Sequence, residues 1–135
     1  MSRKIFVNLP VRDLPRTKSF FAALGFEFDA RFSDDKGACM VLSEEGYVML
    51  LTRERFAEFT KRPVGDATQQ TSGIFALSCT SRAEVDELLK KAIAAGGTTA
   101  GDAMDHGFMY LCRFYDLDGH HWEIFWMDAA AIPSA

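Results

Sequence analysis

The chain has 135 residues, which suits one domain of ordinary size and excludes two large ones. Hydrophobic residues make up 48% and charged residues 25%, close to the globular average, which argues against wholesale disorder. A net charge of -4 without basic clusters argues against nucleic-acid binding, because neutralising phosphates requires concentrated positive charge. The longest apolar run, residues 47–51, is far below the ~20 residues that span a bilayer, so no membrane segment is expected.

The first half of the chain predicts a strand, a helix and three further strands. Residues 5–9 are apolar and rich in β-forming side chains, and Pro10 closes this strand. Asp13 caps a helix that ends at Gly25. Short apolar runs separated by turns that contain glycine predict the remaining strands at residues 27–33, 38–43 and 47–52.

A connecting segment, residues 53–72, interrupts this pattern. Phe56 and Phe59 share one face of a short predicted helix that Pro63 ends, and a polar linker follows. The two rings either flank the mouth of a cavity or only anchor the helix.

The same order of elements then repeats. Ile74–Ser78 is an apolar strand, and a capping box at residues 81–84 begins a helix that ends near Gly96. The remaining strands are predicted at residues 98–100, 108–115 and 121–127, the last two joined by an Asp-Gly turn. Each half leaves one sheet face uncovered, so we expect the two halves to bury these faces together.

The three cysteines, Cys39, Cys79 and Cys112, stand far apart and fit neither a disulfide framework nor a zinc motif. We interpret them as reduced, mostly buried packing residues. Residues 1–4 lead directly into a strand without the apolar region of a signal peptide, so a cytoplasmic protein is expected.

Several of these segments together resemble the vicinal oxygen chelate superfamily. The segments are residues 7–14 (VNLPVRDL), 20–21 (FF), 24–26 (LGF), 95–97 (AGG) and 116–123 (DLDGHHWE). The superfamily includes glyoxalase I, extradiol dioxygenases and bleomycin-resistance proteins. The resemblance implies an α+β fold in which paired βαβββ modules form a cupped mixed β-sheet with helices on its outer face, a ligand cavity inside the cup, and a homodimer.

The implied organisation is a single domain over residues 1–135. Module one covers about residues 3–52, the connecting helix and linker cover residues 53–72, and module two covers about residues 73–128.

The resemblance also implies a divalent metal held by side chains from the first and fourth strands of each module. In this sequence those positions fall on Phe6, on or beside Leu50, on Ile74 and on Glu123. Phe, Leu and Ile have no lone pair to donate, and a single carboxylate does not hold a transition metal, since catalytic zinc sites usually have three protein ligands. We therefore expect no metal site and no cofactor.

A rearranged site is the alternative. His121 and Glu123 are two residues apart and so share a strand face, and His106 joins them only if its loop folds back. Zn²⁺ or Ni²⁺ would be the cofactor of such a site. Otherwise the histidines are ordinary turn and loop residues.

Glu123 is the candidate catalytic residue, because an apolar surrounding would disfavour its charged form and suit it to general base catalysis or to binding a cation. Asn8 is its best polar companion, although both side chains are also explained by local hydrogen bonds. The predicted ligand-binding residues are Phe6, Asn8, Leu50, Ile74, His121, Glu123 and Phe125.

Two functions follow from these residues. The first is a metal-free binding protein that holds a small, partly aromatic molecule in an apolar cavity. The second is a lyase or isomerase of the glyoxalase type that uses the rearranged His/Glu site.

Overall fold

The computed structural model describes residues 2–131, so both ends of the predicted domain lie outside the described residues. The chain divides after Asp66 into two compact units. Each unit combines an open mixed sheet with helices, which confirms the predicted α+β class. No helix within residues 2–131 has the length and apolar character required to cross a membrane.

The first unit contains four strands and two helices. Its elements are β1 (Ile5–Val11), α1 (Leu14–Ala23), β2 (Glu27–Asp29), β3 (Gly37–Val41), β4 (Gly46–Thr52) and α2 (Arg53–Ala57). The strands are ordered β1-β4-β3-β2, with β1 and β4 parallel and the other pairs antiparallel. This is the predicted sequence of a strand, a helix and three further strands.

Two predicted strand limits in this unit are wrong. Pro10 lies inside β1 rather than closing it, and it is tolerated there because β1 is at the edge of its sheet, where one side of the strand makes no ladder bonds. The strand predicted over residues 27–33 ends at Asp29. The carboxylate of Asp29 accepts a hydrogen bond from Arg31 N (3.0 Å) and starts a short 3-10 turn.

The strand register decides which side chains form the core of the first unit. Leu9 lies beside Leu50, and Val7 lies beside Val48, so these four side chains share one face. Helix α1 packs against β3 and β4. It buries four side chains: Leu14, Thr17, Phe20 and Phe21. Asn8 lies beside Met49 and therefore points to the opposite face of the sheet.

The second unit repeats the pattern with one additional strand. Its elements are β5 (Ile74–Ser78), α3 (Arg82–Ala94), β6 (Thr98–Thr99), β7 (Met104–Asp105), β8 (Met109–Tyr115) and β9 (His121–Met127). The strands are ordered β5-β9-β8-β6, and β7, which the sequence does not predict, also pairs with β8. Ser81 caps α3 by accepting a hydrogen bond from Glu84 N (3.1 Å), as the capping box predicts.

The turn between β8 and β9 is built around the buried carboxylate of Asp116. Its Oδ1 atom accepts hydrogen bonds from the backbone N–H groups of Asp118 (2.9 Å) and His120 (3.0 Å), and its Oδ2 atom accepts one from Trp122 Nε1 (2.9 Å). Gly119 completes the turn at φ +88°, where a Cβ atom would lie 2.7 Å from the carbonyl oxygen of Ala67. This network fixes the start of β9 and hence the positions of His121 and Glu123.

The cysteines pack as the sequence predicts. Cys39 and Cys112 are buried and Cys79 is half-buried. Burial, together with a hydrogen bond to Glu84, raises the pKa of the Cys79 thiol to about 12. Burial also raises the pKa of Cys39 and Cys112.

Alkylation of the native protein should therefore be slow at every cysteine. At pH 8 a thiol with a pKa of about 12 is almost entirely protonated, and the thiolate is the reactive form. We expect mass spectrometry to find little carbamidomethylation by iodoacetamide in buffer and three modified cysteines in guanidinium chloride. Rapid labelling of Cys79 in the native protein would contradict this environment.

Candidate ligand-binding site

The open face of the second sheet carries most of the predicted site residues of this unit. His121, Glu123 and Phe125 alternate along β9 with Trp122 and Ile124, which are buried. Tyr110 lies on the same face as Trp122, and its hydroxyl donates to Asp86 of α3 (2.5 Å). Helix α3 therefore covers the tryptophan face, and the face that carries Glu123 is left open by this helix. Period-two alternation predicts this division correctly.

Strand β5 extends this open face on one side of β9. Ile74 lies beside His121, and Ser78 lies beside Phe125, so Ile74, His121, Glu123 and Phe125 share one surface as the sequence predicts. Ala76 lies directly beside Glu123 and contributes only a methyl group. This small neighbour leaves space next to the carboxylate.

Glu123 and His121 come close without forming a hydrogen bond. The Nε2 atom of His121 lies 3.8 Å from Oε2 of Glu123. The side chain of His121 is 10% exposed and that of Glu123 is 23% exposed. The ring of Tyr115 meets the imidazole edge to face, with centroids 5.5 Å apart. The pair therefore offers a partly exposed carboxylate beside a nearly buried imidazole nitrogen.

Arg113 is a site residue that the sequence reasoning missed. It lies in β8 directly opposite Glu123, on the same open face as Tyr115 and Leu111. The available signal was a single charged residue in the otherwise apolar run between Met109 and Tyr115. A charged residue that shares a strand face with apolar side chains indicates a site more strongly than a charged residue on a polar, solvent-facing surface.

His106 does not belong to this cluster. Its backbone N–H donates to the carbonyl oxygen of Met109 (2.8 Å) at the start of β8, and its ring stacks on Phe108. His121 pairs with Tyr115 at the other end of β8, six strand positions away. At ~3.3 Å per residue this is roughly 20 Å. The structure therefore does not bring His106 together with His121 and Glu123.

The first unit presents Phe6 and Asn8 on one face of its sheet. Phe6 is 47% exposed, and its ring stacks on that of Tyr47 with centroids 4.7 Å apart. The Nδ2 atom of Asn8 donates to the carbonyl oxygen of Phe6 (3.2 Å), which leaves the side-chain oxygen as an acceptor.

Leu50 does not lie on this face, and its assignment to the same surface as Phe6 is wrong. Because β1 and β4 are parallel with Leu9 beside Leu50, the Leu50 side chain points to the face covered by α1, where it is fully buried. Met49 and Leu51 occupy the face of Phe6 and Asn8 instead. The fourth-strand residue on the face of Phe6 and Asn8 is therefore a neighbour of Leu50, not Leu50 itself.

A cavity of about 450 Å³ lies on the Asn8 side of the first sheet. Its lining residues are Asn8, Leu51, Phe56, Phe59 and Thr60. Helix α2 is shorter than predicted and ends at Ala57, so Phe59 follows the helix, and its backbone N–H donates to the carbonyl oxygen of Phe56 (3.1 Å). Phe59 is 75% exposed. The two phenylalanines line this cavity, the first of the two roles that the sequence left open.

The residues of both units do not fit the divalent metal that the family resemblance implies. Phe6 and Ile74 have no donor atom, and Met49 offers only a soft thioether. Glu123 has one neighbouring imidazole. Within residues 2–131 no three His, Cys, Asp or Glu side chains are close enough to hold a metal ion together.

Two successive units of a strand, a helix and three or four further strands, each with a polar group on an open sheet face, define a class of paired-module proteins. Residues 5–124 match the family model of the Glyoxalase/Bleomycin resistance protein/Dioxygenase superfamily. This match covers most of the chain, and the protein belongs to that superfamily. A search of curated proteins gives no match.

Several solved structures resemble this chain. A hypothetical protein from S. aureus is 28% identical with a TM-score of 0.79, and the match covers 93% of this chain and 94% of that one. A family enzyme from Burkholderia phytofirmans is 16% identical with a TM-score of 0.76, covering 93% and 99%. The fosfomycin resistance protein FosX from Listeria monocytogenes, complexed with Mn(II) and sulfate ion, is 23% identical with a TM-score of 0.66, covering 92% and 89%. The last two likenesses show the fold alone.

Proposed function

We propose that this chain is a metal-free binding protein of the bleomycin-resistance type that holds a small, partly aromatic molecule. The observation that carries the proposal is the cavity of the first unit, where two phenylalanine rings and Leu51 surround the amide of Asn8. Apolar walls with one or a few convergent polar groups are typical of small-molecule sites.

The chemistry of this cavity favours a cationic aromatic ligand. Phenylalanine faces attract cations as well as other rings, and the free oxygen of Asn8 accepts a hydrogen bond from an N–H group. The net charge of -4 adds a long-range attraction for cations.

The second unit supports the same class of ligand with its own surface. Glu123 is a partly exposed carboxylate that shares its sheet face with the apolar side chains of Ile74 and Phe125. In this proposal Glu123 is a polar anchor for an N–H group of a ligand, and the apolar neighbours bind its hydrocarbon part.

A thermal-shift titration tests the cavity of the first unit. Phenethylamine and ethidium, two cationic aromatic probes, should raise the Tm of the protein in a concentration-dependent manner, because a ligand that binds only the folded state stabilises it. Phe59→Ala should reduce this shift by more than half. The side chain is 75% exposed, so the substitution leaves the fold intact.

Phe32→Ala is the matched control. Phe32 is also exposed, at 59%, lies in the same unit and does not line the cavity. Its removal should leave the ligand-induced shift unchanged. A shift that is absent in the parent protein, or equal in the parent and Phe59→Ala, would count against this function.

The approach of His121 to Glu123 favours a second candidate, a lyase or isomerase of the glyoxalase type. A carboxylate beside an imidazole can accept a proton from a carbon acid and return it to a neighbouring atom. The test is turnover of the methylglyoxal–glutathione hemithioacetal, with and without added Ni²⁺ or Zn²⁺. Activity that a chelator abolishes would place this function above ligand binding.

A further inference from the structure

Two buried nitrogen atoms on the open face of the second sheet have no hydrogen-bond partner. They are Nε of Arg113 and Nε2 of His121. Among residues 2–131, no other buried side-chain nitrogen or oxygen lacks a hydrogen-bond partner. Arg113 lies opposite Glu123 on β8, and His121 lies two residues before it on β9, so both residues neighbour Glu123 on the same sheet face. A buried nitrogen atom without a hydrogen-bond partner is costly, and a built binding site is one reason for a protein to keep two of them together.

Arg113 does not use Glu123 as its counter-charge. Its guanidinium lies over Gly101, where a Cβ atom would be 3.5 Å from Cζ, and its Nη2 atom makes only a long contact with the carbonyl oxygen of Asp102 (3.5 Å). Glu123 approaches the other neighbour, His121. The Cβ atoms of directly opposed residues on paired strands are ~5 Å apart, so an ion pair between Arg113 and Glu123 is within reach. Their charged groups nevertheless point to different neighbours.

On the side of β9 away from Arg113, no large side chain covers Glu123. Ala76, beside Glu123 on β5, is exposed and contributes a single methyl group. Glu123 itself is partly exposed. A ligand group can therefore reach the carboxylate from the open face, with Arg113 on one side and His121 on the other.

We propose that Arg113, Glu123 and His121 bind the zwitterionic headgroup of an α-amino acid. The carboxylate of the ligand accepts hydrogen bonds from the guanidinium of Arg113. The ammonium donates to the partly exposed carboxylate of Glu123, which lies beside the imidazole of His121. Each charge of the ligand thereby meets an opposite charge. Among residues 2–131, Arg113 has no carboxylate partner, and Glu123 approaches a histidine but no lysine or arginine.

A ligand with a single charge fits less well. A carboxylate alone would leave Glu123 without a cation and bring two negative groups together, and an amine alone would leave Arg113 without an anion. The apolar side chains of Ile74 and Phe125 on the same face favour an apolar or aromatic amino-acid side chain. Free L-phenylalanine combines the zwitterionic headgroup with an apolar aromatic side chain, so it is the probe we choose.

This inference rests on the proposed function in that the chain binds a small molecule, but it concerns the second unit only. Calorimetric titration of the full chain, and of its Phe59→Ala variant in which the first-unit cavity is weakened, should detect binding of L-phenylalanine. Two analogues each remove one charge: 3-phenylpropionate lacks the ammonium, and phenethylamine lacks the carboxylate. Each should bind this site at least about tenfold more weakly, since hydrogen bonds between charged groups are the strong ones.

Variants assign the binding to these residues. Arg113→Met and Glu123→Gln should each weaken L-phenylalanine binding by about tenfold or more. Arg16→Met, an equal change at an exposed position of α1, should leave it unchanged. The ligand series on the parent protein keeps the test decisive if a variant at Arg113 fails to fold.

The possible outcomes separate this inference from the function of the first unit. If phenethylamine and ethidium bind but L-phenylalanine does not, the zwitterion site is refuted while the aromatic cavity stands. If L-phenylalanine binds and Phe59→Ala leaves its affinity unchanged, the zwitterion site is supported whatever the cationic probes do. Equal affinity of the Phe59→Ala chain for L-phenylalanine and phenethylamine, or no binding of any of the three compounds, overturns the inference.

Discussion

Replacing Asp116 by alanine should lower the free energy of unfolding by about 3–5 kcal/mol, because three buried N–H donors lose their acceptor at once. Those donors belong to the turn that begins β9, so the loss also loosens the strand that carries Glu123. The measurement is denaturant unfolding followed by tryptophan fluorescence, since the indole N–H of Trp122 is one of the donors that lose their acceptor.

Asp116→Asn is the informative intermediate. Burial raises the pKa of Asp116, against the opposing effects of His120 and of the hydrogen bond from Trp122, so a neutral side chain avoids part of the desolvation cost. Its oxygen can still accept from backbone N–H groups, so we expect a smaller loss than for alanine. Asp128→Ala, at an exposed turn after β9, should cost less than about 1 kcal/mol. Equal losses for Asp116→Ala and Asp128→Ala would refute the central role of the Asp116 carboxylate.

Leu50→Ala should destabilise the protein by about 2–5 kcal/mol, because Leu50 is fully buried between the first sheet and α1 and its removal leaves a cavity. Met49→Ala changes the adjacent residue of β4, whose side chain points to the other face and is only half-buried. We expect it to cost about 1 kcal/mol or less, since partial burial forfeits less apolar contact.

Unfolding of the two variants in urea measures this difference directly. The m-values should stay equal, so that the shift in the transition midpoint reports stability alone. A loss at Met49 as large as the loss at Leu50 would contradict the strand register described for β1 and β4.

The order of elements could be predicted because its signals are local. The Asp13 cap, the capping box at Ser81 and the Asp-Gly turn before β9 each act within a few residues, and each appears in the structure as expected. Alternation along β9 likewise separates Glu123 from Trp122 without knowledge of any partner strand.

The face of Leu50 could not be predicted from its own strand. Every residue from 47 to 51 is apolar, so alternation gives no contrast between the two sides of β4. The side chain's direction depends on pairing with β1, about forty residues away, which only the structure provides. A shift of one residue then exchanges Leu50 for Met49 at the site.

The polar cluster of the second unit shows a different limit of sequence reasoning. His121 and Glu123 are near in sequence, and their contact was predicted as a shared face. Arg113 joins them only through the hairpin register of β8 and β9, and His106 is separated from them by the same register. Which charged residues meet across two strands depends on the register of those strands. The number of histidines in the sequence gives no information on that register.

The combination of a family fold with apolar residues at three of the four positions that the resemblance assigns to a metal is physically reasonable. Side chains at those positions lie on the sheet faces opposite α1 and α3, where exchange of a donor for an aliphatic or aromatic residue leaves the buried helical core unchanged. Function in such folds depends on the groups placed on the scaffold rather than on the scaffold itself.

The most direct test of metal-free ligand binding is a calorimetric titration of phenethylamine into protein dialysed against EDTA, repeated after addition of Ni²⁺ or Zn²⁺. We expect binding of equal affinity in all three samples and a loss of affinity in Phe59→Ala. Binding that disappears with EDTA and returns with a divalent ion would contradict it.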